Sequence, residues 1–534
     1  MEVTLSSETQ HFGPTLLAMC WPTTGFDGIA APNPRYMPDT VSNFNEMLLR
    51  AEEYGCKEAL ERFKTVFDDA ASDLMPSWIF PIYIGLVVKR PYHLIGMTTD
   101  YEVLIYRLPA PIPQGIAEGA TKVDVVPVLV PVSPTLLRRT SAIANDAMGV
   151  KTTFLGCGSL GSKLIMHLAR AGFAPELLID HAYFLPHNAA RHTLTPSDLL
   201  AVGTKAEKLS ALVKELNPAT NALSFSAAVQ KLPLDGRTSF GTVLDPEAIV
   251  VNTTGSSPVR HFLTGSAFRA RTVEACLTDM GRIGVMTLEG SGRNPSTSDL
   301  MVLTYEKLRG LDRLRGLQQS ASNALQVGVG CNSVTLPMSD ARISLFAAGI
   351  GQSLLNMQVE GLPACGQVSI GAVDGDGMTV QWRHAQVEPT QIIGDDDGNG
   401  WTVRILAQAH AKIVEDVGRY PTVESGGIIV GRVSSAGREI FITDVLPAPA
   451  DSVRSPALFV LGTEGRTAMV GEYEGSGGGV LWCLGTWHSH LEDVGPSAMD
   501  QNTATILQDH MDRITVLLIR RPTGYSVVVR SARS

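Results

Sequence analysis

Residues 151–172 read KTTFLGCGSLGSKLIMHLARAG: a short apolar run, then Gly156, Gly158 and Gly161 in the spacing G-x-G-x-x-G, then Leu164, Ile165, Leu168 and Ala171 at helical intervals. A strand that turns tightly into a helix leaves unpaired N–H groups at the helix start, and glycines let that backbone approach a phosphate closely. The next apolar run, ELLID, ends at Asp180, nineteen residues past the last glycine, where a carboxylate can accept from a ribose hydroxyl. Strand and helix patterns alternate from about 136 to 385, as in a mostly parallel, Rossmann-like sheet. An NAD enzyme and an ATP-using adenylase would both show this much.

The residues after Asp180 separate the two. HNAARHTL supplies Asn188 and Arg191, and AVGTKAEKLSALVKELNPA supplies Lys205 at the head of a helix ending in Asn217-Pro218. Three polar groups around a triphosphate suit acyl adenylation and are superfluous for hydride transfer. The series resembles the ThiF/MoeB/ubiquitin-activating (E1) family over about residues 150–355. The resemblance implies binding of ATP with Mg2+ by the glycine loop, Asp180 on the ribose, and Asn188, Arg191 and Lys205 around the phosphates. Asn252, in IVVNTTGSS, stands where that family usually has a magnesium-binding aspartate. The family's N-terminal-side arginine has no clear counterpart, since Arg138 and Arg139 lie closer to the glycine loop than its pattern leads one to expect. Cys331, in GVGCNSVTLP, is similar to the thioester-forming cysteine of eukaryotic members, with Cys276 second in line and Cys157 read as a packing residue.

A second constellation lies near the C-terminus, in GTWHSHLEDVGPSAMD (485–500). Side chains alternate along a strand, so His488 and His490 face one way, as two ligands of one metal must. If Pro496 and Ser497 open a helix, Asp500 comes one turn later and adds a carboxylate. Upstream, PTVESGGIIVGR places Glu424 before a Gly-Gly and a short apolar strand. Together these resemble the JAB/JAMM (MPN) metalloprotease family over about 400–534, an α+β fold. The resemblance implies Zn2+ on His488, His490 and Asp500, Glu424 as general base and Ser497 at the oxyanion. Six residues separate His490 from Ser497, one fewer than in the family pattern, and Leu491 replaces a usual proline.

At 534 residues the chain is too long for one ordinary domain. The expected organisation is α/β multidomain: an N-terminal α+β domain of unknown type (1–135), the adenylation domain (136–385), a linker (386–399) and the metalloprotease domain (400–534). In the first of these, Ser42–Ala71 reads as helical, and WIFPIYIGLVV and YEVLIYRL as strands. The acidic run DDDGNG lacks the later glutamate of a calcium loop and reads as solvated linker. A net charge of −10 without basic runs argues against nucleic acid. Seven scattered cysteines, none in C-x-x-C, point to a reducing cytoplasm. With no leader pattern and no apolar run of about 18 residues, neither secretion nor a membrane span is expected.

An adenylase that activates a C-terminal glycine and a protease that cuts after one, in one chain, resemble the E1–JAB fusions of bacterial ubiquitin-like conjugation operons, several associated with antiphage defence. That implies a ubiquitin-like protein and an E2-like protein as partners, residues 1–135 as an adaptor for either, and a homodimer. Sulfur-carrier activation and a nucleotide-binding scaffold without turnover are the alternatives.

Overall fold

The computed structural model describes residues 15–530 apart from 75–76, 95–96, 98, 114, 130, 145, 148, 219, 232–244, 266–268, 312–313, 315–324, 327–333, 336, 397 and 512. Internal contacts divide the chain into two compact units, residues 1–145 with 217–219, and the remainder.

The first unit holds a four-stranded sheet in the order Leu16–Cys20, Ile82–Lys89, Tyr101–Leu108, Asp124–Val126, the first pair parallel and the others antiparallel. Where the pattern suggested one helix over 42–71, there are two, Phe44–Glu53 and Lys57–Leu74. Asn43 caps the first by accepting the Glu46 N–H at 3.0 Å, and the chain turns at Tyr54–Cys56. Phe44, Met47, Leu60, Ile84 and Leu86 fill the core, and Cys20 and Cys56 are enclosed with them. Burial pushes the two thiols up to about 11 and about 12, so neither is a nucleophile at neutral pH.

The second unit contains two larger sheets. The eight-stranded sheet runs Val380–Val387, Gly366–Val373, Ile283–Leu288, Arg271–Thr278, Ile249–Asn252, Thr152–Leu155, Leu177–Ile179, Leu223–Phe225. Its last five strands are parallel, the doubly wound core that the glycine loop implies. The first three add antiparallel, so the sheet is less parallel than expected. The short connection Asp279–Gly281 is the reason, because a crossover back to a parallel strand needs a dozen residues or more.

The seven-stranded sheet runs Gln391–Gly394, Thr402–Ile405, Glu439–Pro447, Gly426–Ser434, Trp482–Ser489, Thr515–Arg521, Gly524–Arg530. One face packs on the helix Ala407–Arg419 through Ile405, Ile413, Ile429 and Leu484. The other face, with Ile428, Val430 and Phe441, shares a core with Leu300, Leu303 and Leu308 of the helix Thr297–Gly310, which also packs on the eight-stranded sheet.

The 386–399 stretch, expected as linker, contains the edge strand Gln391–Gly394. Its acidic run is not simply solvated. Asp396 accepts the Val527 N–H at 2.7 Å and Asp395 that of Val529 at 3.2 Å, which brings the two edges of this sheet together. Among the described residues, no helix is long and apolar enough to cross a membrane.

Candidate active sites

Gly156 leaves the strand Thr152–Leu155, and Gly158 caps the helix Ser159–Arg170. Gly161 sits where a Cβ would lie 2.2 Å from the Gly156 carbonyl oxygen and 2.5 Å from Thr253 Oγ1, so the loop closes only on glycine. Thr253 holds that turn by donating to the same carbonyl at 2.7 Å. Gly158 differs: a Cβ there would meet nothing within 4 Å. The free volume next to a helix N-terminus is the kind of space a phosphate fills.

Around this loop the structure gathers most of the expected residues. Asp180, half-buried at the end of Leu177–Ile179, accepts the Cys157 N–H and the Ala182 N–H, each at 2.8 Å. A carboxylate has about four acceptor positions, so it can tether the loop and still receive a hydroxyl. Asn188 caps its own short 3-10 helix by accepting the Leu185 N–H at 3.0 Å. Lys205 starts the helix Lys205–Leu216, docked by its N–H on the Ala182 carbonyl at 2.9 Å. Burial and the charges of Lys205 and Arg191 lower the pKa of His187. Burial also lowers the pKa of Arg191.

Asn252 ends the neighbouring strand, paired with Leu155 just before the loop. It is fully buried, its side-chain carbonyl accepts both the N–H and the hydroxyl of Thr254, and its amide nitrogen has no partner among the described residues. Sequence reasoning also missed His192, which is buried with Nδ1 accepting the Leu194 N–H at 3.1 Å. The proton must then sit on Nε2, which donates to the Cys157 carbonyl at 2.7 Å. Nothing local marks that role, since Cys157 lies 35 residues upstream. Cys157 itself is sealed in, and burial drives its thiol well above the usual range. Cys276 is only half-buried, its thiol pushed up to about 12 by burial and by Glu274. Cys331 lies outside the described residues.

At the second constellation, His488 is the next-to-last residue of the strand Trp482–Ser489, and His490 follows that strand. Ser497 caps the helix Ala498–Met511 reciprocally: Asp500 accepts the Ser497 N–H at 2.7 Å, and the Ser497 hydroxyl accepts the Asp500 N–H at 3.2 Å. These contacts fix the helix that carries Asp500. The two histidine Nε2 atoms are 3.1 Å apart, and Asp500 oxygens lie 3.2 Å from His488 Nε2 and 3.6 Å from His490 Nε2. Tetrahedral zinc with bonds of about 2.0–2.1 Å has ligands about 3.3 Å apart, so this donor set fits it. His490 Nδ1 donates to the Val494 carbonyl at 3.2 Å, leaving Nε2 as a bare lone pair.

Glu424 is buried beside the three donors. Burial raises its pKa, opposed by His488, His490 and the Phe459 N–H. Ser425 and Ser489 clamp its strand to the histidine strand by paired bonds of 2.9 and 2.7 Å. For Asp500, bonds from His488 and Ser497 outweigh burial and hold the carboxyl well below the usual range.

Residues 146–288 match the ThiF family model, a span that carries six of the eight strands of the larger sheet, Thr152–Leu155 through Ile283–Leu288. No curated protein matches the chain. Among solved structures, E. coli MccB with AMPCPP and MccA is 14% identical over 45% of this chain and 65% of that one, at a TM-score of 0.31. PaaA is 12% identical over 45% of this chain and 73% of that one, at 0.32. The chain thus spans just under two thirds of MccB's length.

Proposed function

We propose that the chain is a bifunctional enzyme: the ThiF-family domain adenylates the C-terminal glycine of a ubiquitin-like protein, and the C-terminal domain is a zinc-dependent peptidase for the same modifier. The observation that carries the reading is that one chain holds both a glycine loop tethered to Asp180, with open space at Gly158 ahead of a helix, and a cluster of His488, His490 and Asp500 with the buried Glu424 nearby.

In the first reaction the glycine carboxylate attacks the α-phosphorus of ATP, forming an acyl–AMP bond as the bond to pyrophosphate breaks. The loop N–H groups and the Arg191 and Lys205 charges stabilise negative charge on the phosphates, and Asp180 orients the ribose. Attack on the acyl–AMP carbonyl by a thiol, assigned by the resemblance to Cys331, would release AMP and make a thioester for an E2-like partner, and the protein would act in the cytoplasm, as a homodimer.

In the second reaction His488, His490 and Asp500 would hold zinc. Bound there, zinc supplies Lewis acidity that polarises the scissile carbonyl and acidifies the attacking water. Glu424 takes the proton of that water and returns it to the departing amine.

The tests separate the halves. ATP–pyrophosphate exchange that depends on the modifier supports adenylation, whereas tight NAD binding without ATP binding would move the domain to hydride transfer. Purified protein should contain one zinc, lost in a His488→Ala, His490→Ala double variant. Glu424→Ala should keep the zinc and lose cleavage, because a general base acts on the rate and not on coordination. A protein without zinc, or an active Glu424→Ala variant, sinks the peptidase assignment.

A further inference from the structure

A groove of about 540 Å³ opens on the seven-stranded sheet between the helices Arg466–Ser476 and Ala498–Met511. Its apolar lining includes Ile428, Leu461, Val470 and Leu507. Both elements that carry metal donors continue into it. Thr486, on its floor, precedes His488 by two strand positions and so faces the same side about 7 Å away. Leu507 and Met511 follow Asp500 by seven and eleven helical positions, which returns them to the same helix face about 10–16 Å along.

The groove's charges do not cancel. Glu474 is matched by Arg513 at 3.0 Å and also accepts the Cys483 N–H. Half-buried Arg466 has no acceptor partner among the described residues, and the hydroxyl of Thr486 beside it makes no hydrogen bond among them either. An unmatched guanidinium on an apolar trough selects a chain that brings both an apolar side chain and a carboxylate.

We infer that this groove is the specificity pocket of the C-terminal hydrolytic site, and that it holds an extended substrate segment with a large apolar residue next to an acidic one. The inference rests on the peptidase reading. At about 3.3 Å per extended residue, the segment lies about two to five residues from the cleaved bond. Val470 meets the apolar side chain, and Arg466 pairs with the acid.

The test uses zinc-loaded full-length protein and internally quenched peptides, varied one position at a time on either side of a glycine bond. Wild type should prefer Leu, Met or Phe over Gly at one position, and Glu over Lys beside it, each by about tenfold or more in kcat/KM. Arg466→Glu should reverse the Glu-over-Lys preference with zinc content unchanged. Val470→Trp should bring the apolar peptides down to the glycine level; if that variant does not fold, Arg466→Glu decides alone. Cleavage with the same preferences in wild type and variants overturns the groove and leaves the peptidase standing. Failure of wild type to cut any peptide overturns both.

Discussion

His192 shows how one side chain ties a glycine loop to the rest of its site. Its Nε2–H and its Nδ1 lone pair are both committed to backbone groups, so only the neutral ring fits. Burial lowers its pKa to about 4, with Lys205 and Lys163 adding to the effect, while the Cys157 bond and Asp180 oppose it. In the unfolded chain the ring titrates near 6.5. Between about 6.5 and about 4 the unfolded chain binds a proton that the folded one refuses, so stability falls as pH falls through that window and is flat above it. The full effect is on the order of 3 kcal/mol. Urea midpoints taken at about pH 7.5 and about pH 5 should therefore differ more for wild type than for His192→Gln, and equal differences would mean that the ring carries no such linkage. The cluster of His488, His490 and Asp500 was legible at this scale because its relation is local: period two along the chain sets His488 against His490, and one helical turn sets Ser497 against Asp500. His192 was not, because its partner comes from another segment.

Between residue and fold stands the strand–loop–helix unit of 152–170, whose glycines have opposite jobs. Gly161→Ala forces a carbon against the Gly156 carbonyl and the Thr253 hydroxyl, an overpacking that costs about 1–3 kcal/mol. Gly158→Ala puts its methyl into open space at a helix cap with ordinary φ, so stability should stay within about 0.5 kcal/mol of wild type. The same methyl would stand where the phosphates are proposed to lie, and calorimetry should show ATP affinity down by about tenfold, or about 1.4 kcal/mol. Unchanged ATP binding in Gly158→Ala would remove the phosphates from this loop. The element was readable because glycine spacing encodes backbone geometry directly. The acidic run at 395–400 was not: Asp395 and Asp396 look like solvated turn residues until the strand Gly524–Arg530, far along the chain, offers them its N–H groups. The three antiparallel strands beside the parallel core were hidden likewise, since a buried apolar run has no direction.

Across the whole second unit, the part proposed to adenylate and the part proposed to hydrolyse are not beads on a string. The helix Thr297–Gly310 packs on both sheets, and its polar side chains reach both: Thr297 donates to Glu274 of the eight-stranded sheet at 2.8 Å, and others bond toward the seven-stranded sheet. Asp299 takes bonds of 2.7 and 2.5 Å from Arg404, while Glu306 accepts from Tyr473 at 2.6 Å and from Thr443 at 3.1 Å. Residue patterns forecast two domains because each has its own motif, but an apolar stripe does not name the sheet it will cover. The Arg404–Asp299 pair is the sharpest probe, with side chains only 9% and 1% exposed. Arg404→Ala leaves the Asp299 carboxylate buried without its cation, a loss of about 3–5 kcal/mol. If the two sheets unfold as one body, that loss destabilises both. Hydrogen exchange should then rise by the same factor in Thr152–Leu155, at the glycine loop, and in Trp482–Ser489, at the histidines, although neither strand touches the mutated pair through a side-chain bond. Faster exchange confined to the seven-stranded sheet would mean that the shared core is a contact between independent domains, and that the proposed adenylating and hydrolysing centres are joined without being coupled in stability.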